Sequence, residues 1–163
     1  MSSLKEIQAL QLQSEKVFDY FEEICAIPHG SRNTKAISDY LVAFAKKHDL
    51  TWYQDESNNV VIVQEATAGY EQADTIILQG HMDMVCEKES GCAIDFEKDG
   101  LDLYVDGDFL KARGTTLGGD DGIAVAYALA IMDSPEIAHP RLEVVITVDE
   151  EIGMLGAEAI DLS

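Results

Sequence analysis

The sequence predicts an α/β protein, a mixed sheet flanked by helices on both faces, and three observations carry that expectation. Two helical patterns come first, short runs rich in β-formers follow, and a strand, helix, strand succession occupies residues 75–79, 123–132 and 142–148. Such alternation places helices against a sheet, because each element must bury its apolar face on another.

In residues 14–27, Val17, Phe21, Ile24 and Cys25 recur every three or four positions and mark one helical face, which Pro28 ends. Ser31-Arg32-Asn33-Thr34 offers N-caps for a second helix whose buried stripe is Ile37, Leu41, Phe44 and Ala45, closed by Lys46-Lys47-His48. Residues 50–54 and 59–64 read as strands joined across Asp55-Glu56-Ser57-Asn58 in a hairpin. Residues 75–79 form a third strand, and the Gly- and acid-rich residues 87–107 read as loop and edge strand, with weak alternation in Leu101, Leu103 and Val105. Residues 123–132 are a continuous helix former that Ser134-Pro135 ends, and residues 142–148 are apolar enough for a largely buried strand.

Of the 163 residues, 47% are hydrophobic and 26% charged, the composition of one soluble globular domain. The net charge of −20 would repel phosphate backbones and anionic lipids, so neither nucleic acid nor a membrane surface is expected as a partner. No apolar run approaches the roughly 20 residues that cross a bilayer. The first residues, Met1-Ser2-Ser3-Leu4-Lys5-Glu6, lack the apolar core of a secretory signal. Cys25, Cys86 and Cys92 form no C-x-x-C pair and suit a reducing compartment, so a cytoplasmic location is expected. A new helical segment is just beginning where the chain reaches Ile160-Asp161-Leu162-Ser163, which suggests the front of something larger.

Three clusters carry metal-ligand residue types. His81 and Asp83 follow the third strand; in an extended chain residues two apart face the same way, so the carboxylate can hold one ring nitrogen while the other binds a metal. A strand-end histidine beside a surface aspartate fits equally short a pattern. Gly118-Gly119-Asp120-Asp121-Gly122 precedes the long helix, where an aspartate N-cap accounts for one acid but less easily for two. Asp149-Glu150-Glu151 follows the buried strand, and three adjacent carboxylates repel unless a cation or solvent compensates. A solvated acidic turn is the alternative. Ligand sites in open α/β sheets lie beyond the carboxyl ends of strands, so the three clusters could converge on one cleft. Imidazole plus carboxylate without thiolate suits Zn²⁺, Mn²⁺ or Co²⁺.

The runs His81-Met82-Asp83-Met84-Val85, Arg113-Gly114-Thr115-Thr116-Leu117-Gly118-Gly119-Asp120-Asp121-Gly122 and Asp149-Glu150-Glu151-Ile152-Gly153-Met154 resemble those of the co-catalytic zinc peptidases related to bacterial carboxypeptidase G and the aminoacylases. The aminoacyl-histidine (Xaa-His) dipeptidases are the nearest of these, and the resemblance extends over nearly the whole chain. It implies an aminopeptidase-like zinc-peptidase catalytic domain of which residues 1–163 are the N-terminal part, the rest and a lid or dimerisation domain lying elsewhere. It also implies a two-zinc site, with Mn²⁺ or Co²⁺ as other occupants, in which His81 binds one ion, Asp120 bridges both and Glu151 binds the other. Asp83 would orient His81, Glu150 would be the general base on the attacking water, and a cis peptide would join Asp120 to Asp121. The implied activity is metal-dependent hydrolysis of dipeptides with a C-terminal histidine by a cytoplasmic homodimer, with a small peptide as the partner.

In the family a further acidic ligand and a further histidine come from sequence beyond the point matching Ser163, so this chain alone is expected to bind zinc weakly and hydrolyse nothing. His29, His48 and His139 read as loop or helix-end residues. Two other functions remain open from the residues: a related tripeptidase or amidohydrolase, and a non-catalytic acidic domain binding Ca²⁺ or Mg²⁺ through Asp106, Asp108, Asp120 and Asp121.

Overall fold

The computed structural model describes residues 15–161, so Ser14 of the first predicted helix and Leu162-Ser163 at the other end lie outside the described residues. The elements run α1 (Glu15–Cys25), α2 (Lys35–Lys47), β1 (Thr51–Gln54), β2 (Val60–Gln64), β3 (Ile76–His81), β4 (Leu103–Asp106), β5 (Phe109–Ala112), α3 (Gly119–Met132), β6 (Leu142–Thr147) and α4 (Leu155–Ala159). No helix among them is long and apolar enough to cross a membrane.

Four strands form one sheet in the order β1-β2-β6-β3, with β1–β2 and β2–β6 antiparallel and β6–β3 parallel, so the sheet is mixed. The predicted turn between β1 and β2 closes as expected, with the Asn58 N–H donating to the Asp55 carbonyl. The strand β6 lies inside the sheet because Leu142, Val144, Val145 and Ile146 are all buried, leaving only Glu143 half-exposed. The parallel β3–α3–β6 connection follows from the long apolar helix between the two strands.

Flanking helices are present, and among the described residues they back one face of this sheet rather than the two expected. Val60 pairs with Ile146 and Ile62 with Val144, and these four side chains enter the core with Ile37 and Leu41 of α2 and Val125 and Leu129 of α3. Helix α1 adds a second layer by packing on α3 through Phe21 and Ile24, whose side chains close against Gly122. The opposite face carries Tyr53, Val61, Val63, Ile77, Glu143 and Val145 around an open depression of about 530 Å³, and Ile77 is 63% exposed. Alternating elements reveal that helices cover a sheet, whereas the side on which each helix lands depends on packing between distant segments.

Residues 87–107 also depart from the edge strand expected there. Residues 103–106 pair with Phe109–Ala112 as a separate two-stranded hairpin, so β5 is an additional strand and the main sheet does not extend this way.

Candidate metal centre

The strand β3 runs to His81, one helix start lies beside it, and the exit of β6 lies on its other flank. The α3 entrance is not a simple helix start. Gly118 sits at φ 69°, Asp120 and Asp121 have non-helical dihedrals, and the Asp120-Asp121 peptide is cis, as the resemblance implied. The two acids thereby separate. Asp121 points inward, accepting hydrogen bonds from the backbone N–H of Ala124 and of His81, the latter at 3.4 Å, and burial pushes its carboxyl up. This ties β3 to α3. It requires Gly80, because a Cβ there would lie 2.8 Å from Asp121 Oδ2. Asp120 projects the other way, with its side chain 90% exposed.

The side chain of His81 is buried, and its Nε2 lies 3.3 Å from Asp120 Oδ1 and 3.8 Å from Glu150 Oε2. One ligand atom each from His81, Asp120 and Glu151 lies within 4.8 Å of the others. Donors that share an ion at about 2.0–2.2 Å lie roughly 3–4 Å apart, so the His81–Asp120 separation already matches a common ion. The other ring nitrogen, Nδ1, is 3.0 Å from the Asp83 carbonyl oxygen and 3.4 Å from its Oδ1. Two acceptors hold a proton on Nδ1, so Nε2, which faces the carboxylates, is the ring nitrogen that can ligate a metal in exchange for its own proton.

Asp83 does more than face His81. Its buried carboxylate also accepts from Ser31 Oγ at 2.7 Å, the Glu150 N–H at 3.0 Å and the Glu151 N–H at 3.4 Å. One carboxylate therefore orients the imidazole and the backbone that presents Glu150 and Glu151. Burial pushes its carboxyl up, yet the hydrogen bonds from His81, Ser31 and the two N–H groups outweigh it and hold Asp83 below the usual carboxylate range. Conversely, the hydrogen bond to Asp83 raises the His81 imidazole to about 9, against the opposing effect of burial. Burial, together with repulsion from Asp120, Glu150 and Asp83, pushes Glu151 up despite the attraction of His81. Crowded carboxylates around an imidazole nitrogen are what a divalent cation relieves, so the residues present fit such an ion.

The β6 exit is anchored from below. Asn59, fully buried, accepts the Val148 N–H at 3.0 Å and donates to Asp55 Oδ2 and to the Gly156 carbonyl, pinning both ends of the turn that carries residues 149–151. Asp149 does not join the cluster of three ligand groups; its Oδ1 accepts the Arg32 N–H at 2.6 Å. Sequence reasoning missed Ser31, Asn59 and the inward role of Asp121. Ser31 reads as an N-cap candidate, and Thr34 takes that position instead, leaving the Ser31 hydroxyl to Asp83.

The remaining candidates lie elsewhere. Asp106 pairs with Lys111 across the β4–β5 hairpin, and among the described residues the group that could hold a metal ion is His81, Asp120 and Glu151, without Asp106 or Asp108 of the Ca²⁺ arrangement. His29 is a buried loop residue with Nδ1 2.6 Å from the Ile27 carbonyl oxygen, His48 caps α2 against the ring of Phe44, and His139 sits 2.7 Å from its neighbour's carbonyl oxygen.

Fold and cluster together define a helix-backed mixed α/β sheet that gathers an imidazole and carboxylates into a candidate metal site at the carboxyl ends of its strands. Residues 77–161 match peptidase family M20/M25/M40, and the chain belongs to this family, whose peptidases are metal-dependent. Over 147 residues it is 42% identical to the cytosol non-specific dipeptidase of Escherichia coli (strain K12), covering 90% of this chain and 30% of that protein. The crystal structure of aminoacylhistidine dipeptidase from Vibrio alginolyticus is similar with a TM-score of 0.89 at 39% identity, over 92% of this chain and 31% of that one. A tripeptidase from Staphylococcus aureus, with a TM-score of 0.73 at 24% identity over 90% of this chain and 39% of that one, shares the fold. The chain thus spans about 30% of the length of the first two of these relatives.

Proposed function

We propose that the intact protein is a metal-dependent dipeptidase, hydrolysing short peptides that include those with a C-terminal histidine, and that this chain supplies the N-terminal part of its catalytic domain. The observation that carries this reading is the convergence of His81, Asp120 and Glu151, with Glu150 3.8 Å from the same imidazole nitrogen. Similarity to a non-specific dipeptidase and an aminoacylhistidine dipeptidase supports the substrate class.

His81, Asp120 and Glu151 would hold zinc, with manganese or cobalt as other occupants. A bound divalent ion supplies Lewis acidity for an amide carbonyl and for water. Asp83 keeps the proton on Nδ1 of His81, so that Nε2 stays a donor. Glu150 has its backbone held by Asp83 and its carboxylate at the edge of the ligand group; it takes the proton of the attacking water and returns it to the leaving amine. Three unpaired cysteines and a cytosolic relative support a cytoplasmic setting, and a homodimer belongs to the same reading.

The test uses the full-length protein, stripped with chelator and reconstituted with zinc, manganese or cobalt. Xaa-His dipeptides, other dipeptides, tripeptides and acylated amino acids are then compared by kcat/KM. Metal-restored turnover that is highest on dipeptides is expected. Hydrolysis indifferent to chelation, or confined to acylated amino acids, overturns the proposal.

A further inference from the structure

A cavity of about 280 Å³ opens directly beside Glu151, between the segment after α1, the segment after β3 and residues 96–97. Pockets that enclose a drug-sized ligand run from about 300 to 1,000 Å³, so this one suits a single amino-acid residue rather than a whole peptide. Its apolar lining comes from Phe96, Ile152, Val85 and Met84. Its titratable lining is Glu87, Glu97 and Glu151 with the thiol of Cys86, and no lysine or arginine among the described residues lines it. Burial pushes the Cys86 thiol up, and Glu97, Asp83 and Glu87 act in the same direction.

The walls are held by the network that holds the ligand groups. Met84 donates its N–H to the His29 carbonyl at 3.1 Å, Asn33 Nδ2 reaches the Glu97 carbonyl at 3.4 Å, and Ser31, which lines the cavity, donates to Asp83. Gly30 lets the two segments close, since a Cβ there would lie 2.6 Å from Cys86 Sγ.

A dipeptide has one cationic and one anionic end. Negative groups beside Glu151 repel the carboxylate end and attract the ammonium end, and the apolar wall takes a side chain. Resting on the dipeptidase reading, we infer that this cavity receives the N-terminal residue of the substrate, with Phe96 and Ile152 packing its side chain and Glu87 and Glu97 favouring a free ammonium over an acylated nitrogen. The assignment makes these four residues the determinants of amino-end specificity and excludes acylated amino acids from this seat.

Cys86 gives a readout independent of turnover. In the full-length, zinc-loaded protein, L-leucinamide should slow maleimide labelling of Cys86 at least about threefold while leaving Cys92, which does not line the cavity, unaffected. N-acetyl-leucinamide should protect far less, and Glu97→Gln should narrow the difference between the two. Equal protection by both amides, or none by either, overturns the inference. In kinetics, Phe96→Ala should lower the kcat/KM preference for leucyl-first over glycyl-first dipeptides by about tenfold, the scale expected of a few buried methylenes. A preference that instead changes with the second residue assigns the cavity to the other end and also overturns it. Should the protein hydrolyse no peptide at all, the dipeptidase reading fails, and the Cys86 protection pattern decides the cavity by itself.

Discussion

Replacing Asp83 by asparagine keeps its shape and removes its charge, at the point where His81 and the Glu150-Glu151 backbone are both held. In the metal-free protein the imidazole is raised to about 9, chiefly by Asp83. A return to the ordinary value near 6.5 corresponds to about 3 kcal/mol of lost attraction at this buried pair. The sign follows from the direction. A raised histidine pKa contributes stability that is complete below about pH 6.5 and fades as pH rises through about 9, so wild-type stability should decline across that interval and the Asp83→Asn profile should be flat there. The substitution also unlocks the imidazole tautomer, for which a loss of about 10- to 100-fold in zinc affinity is expected. The imidazole is followed by NMR titration, the affinity by competition against a chromophoric chelator, and folding by circular dichroism. A folded Asp83→Asn protein whose His81 still titrates near 9, or whose zinc affinity equals wild type, refutes the claim that this carboxylate organises the site.

Glu150→Gln in the full-length enzyme should cost about 10² to 10⁴ in kcat while metal content stays near wild type, measured by steady-state assay and elemental analysis; stoichiometric loss of metal would make Glu150 a ligand instead. Asn59→Ala should lower unfolding free energy by about 3 kcal/mol in denaturant titration, because the buried Val148 N–H loses its acceptor and the turn bearing Glu150 and Glu151 loses its anchor. A stability change below about 0.5 kcal/mol would contradict that role. Gly80→Ala should weaken zinc binding by forcing Asp121 off the His81 N–H, and calorimetric titration with unchanged affinity would show that this contact does not position His81.

Much of the architecture was legible because it is written in local periodicity. The stripe Ile37, Leu41, Phe44 and Ala45 is buried as the helical spacing requires, and the apolar run of residues 142–147 lies inside the sheet. The candidate clusters were legible for a related reason: they stand where a strand ends, a helix begins and a second strand ends, positions that hydrophobic pattern and glycine placement mark along the chain, while the choice of His81, Asp120 and Glu151 within them came from the family resemblance. Residue type and local position could not say which way each acid turns. Asp120 and Asp121 are adjacent and chemically identical, and only the surrounding packing directs one to the imidazole and the other to the His81 backbone. The tertiary structure likewise decided that, among the described residues, the three long helices share one core on a single face of the sheet, that residues 103–112 form a separate hairpin, and that Ser31 and Asn59 hold the candidate site. Each of these depends on the meeting of segments far apart in the chain, whose geometry is set by close packing and by satisfying buried polar groups, and neither leaves a periodic trace in the sequence.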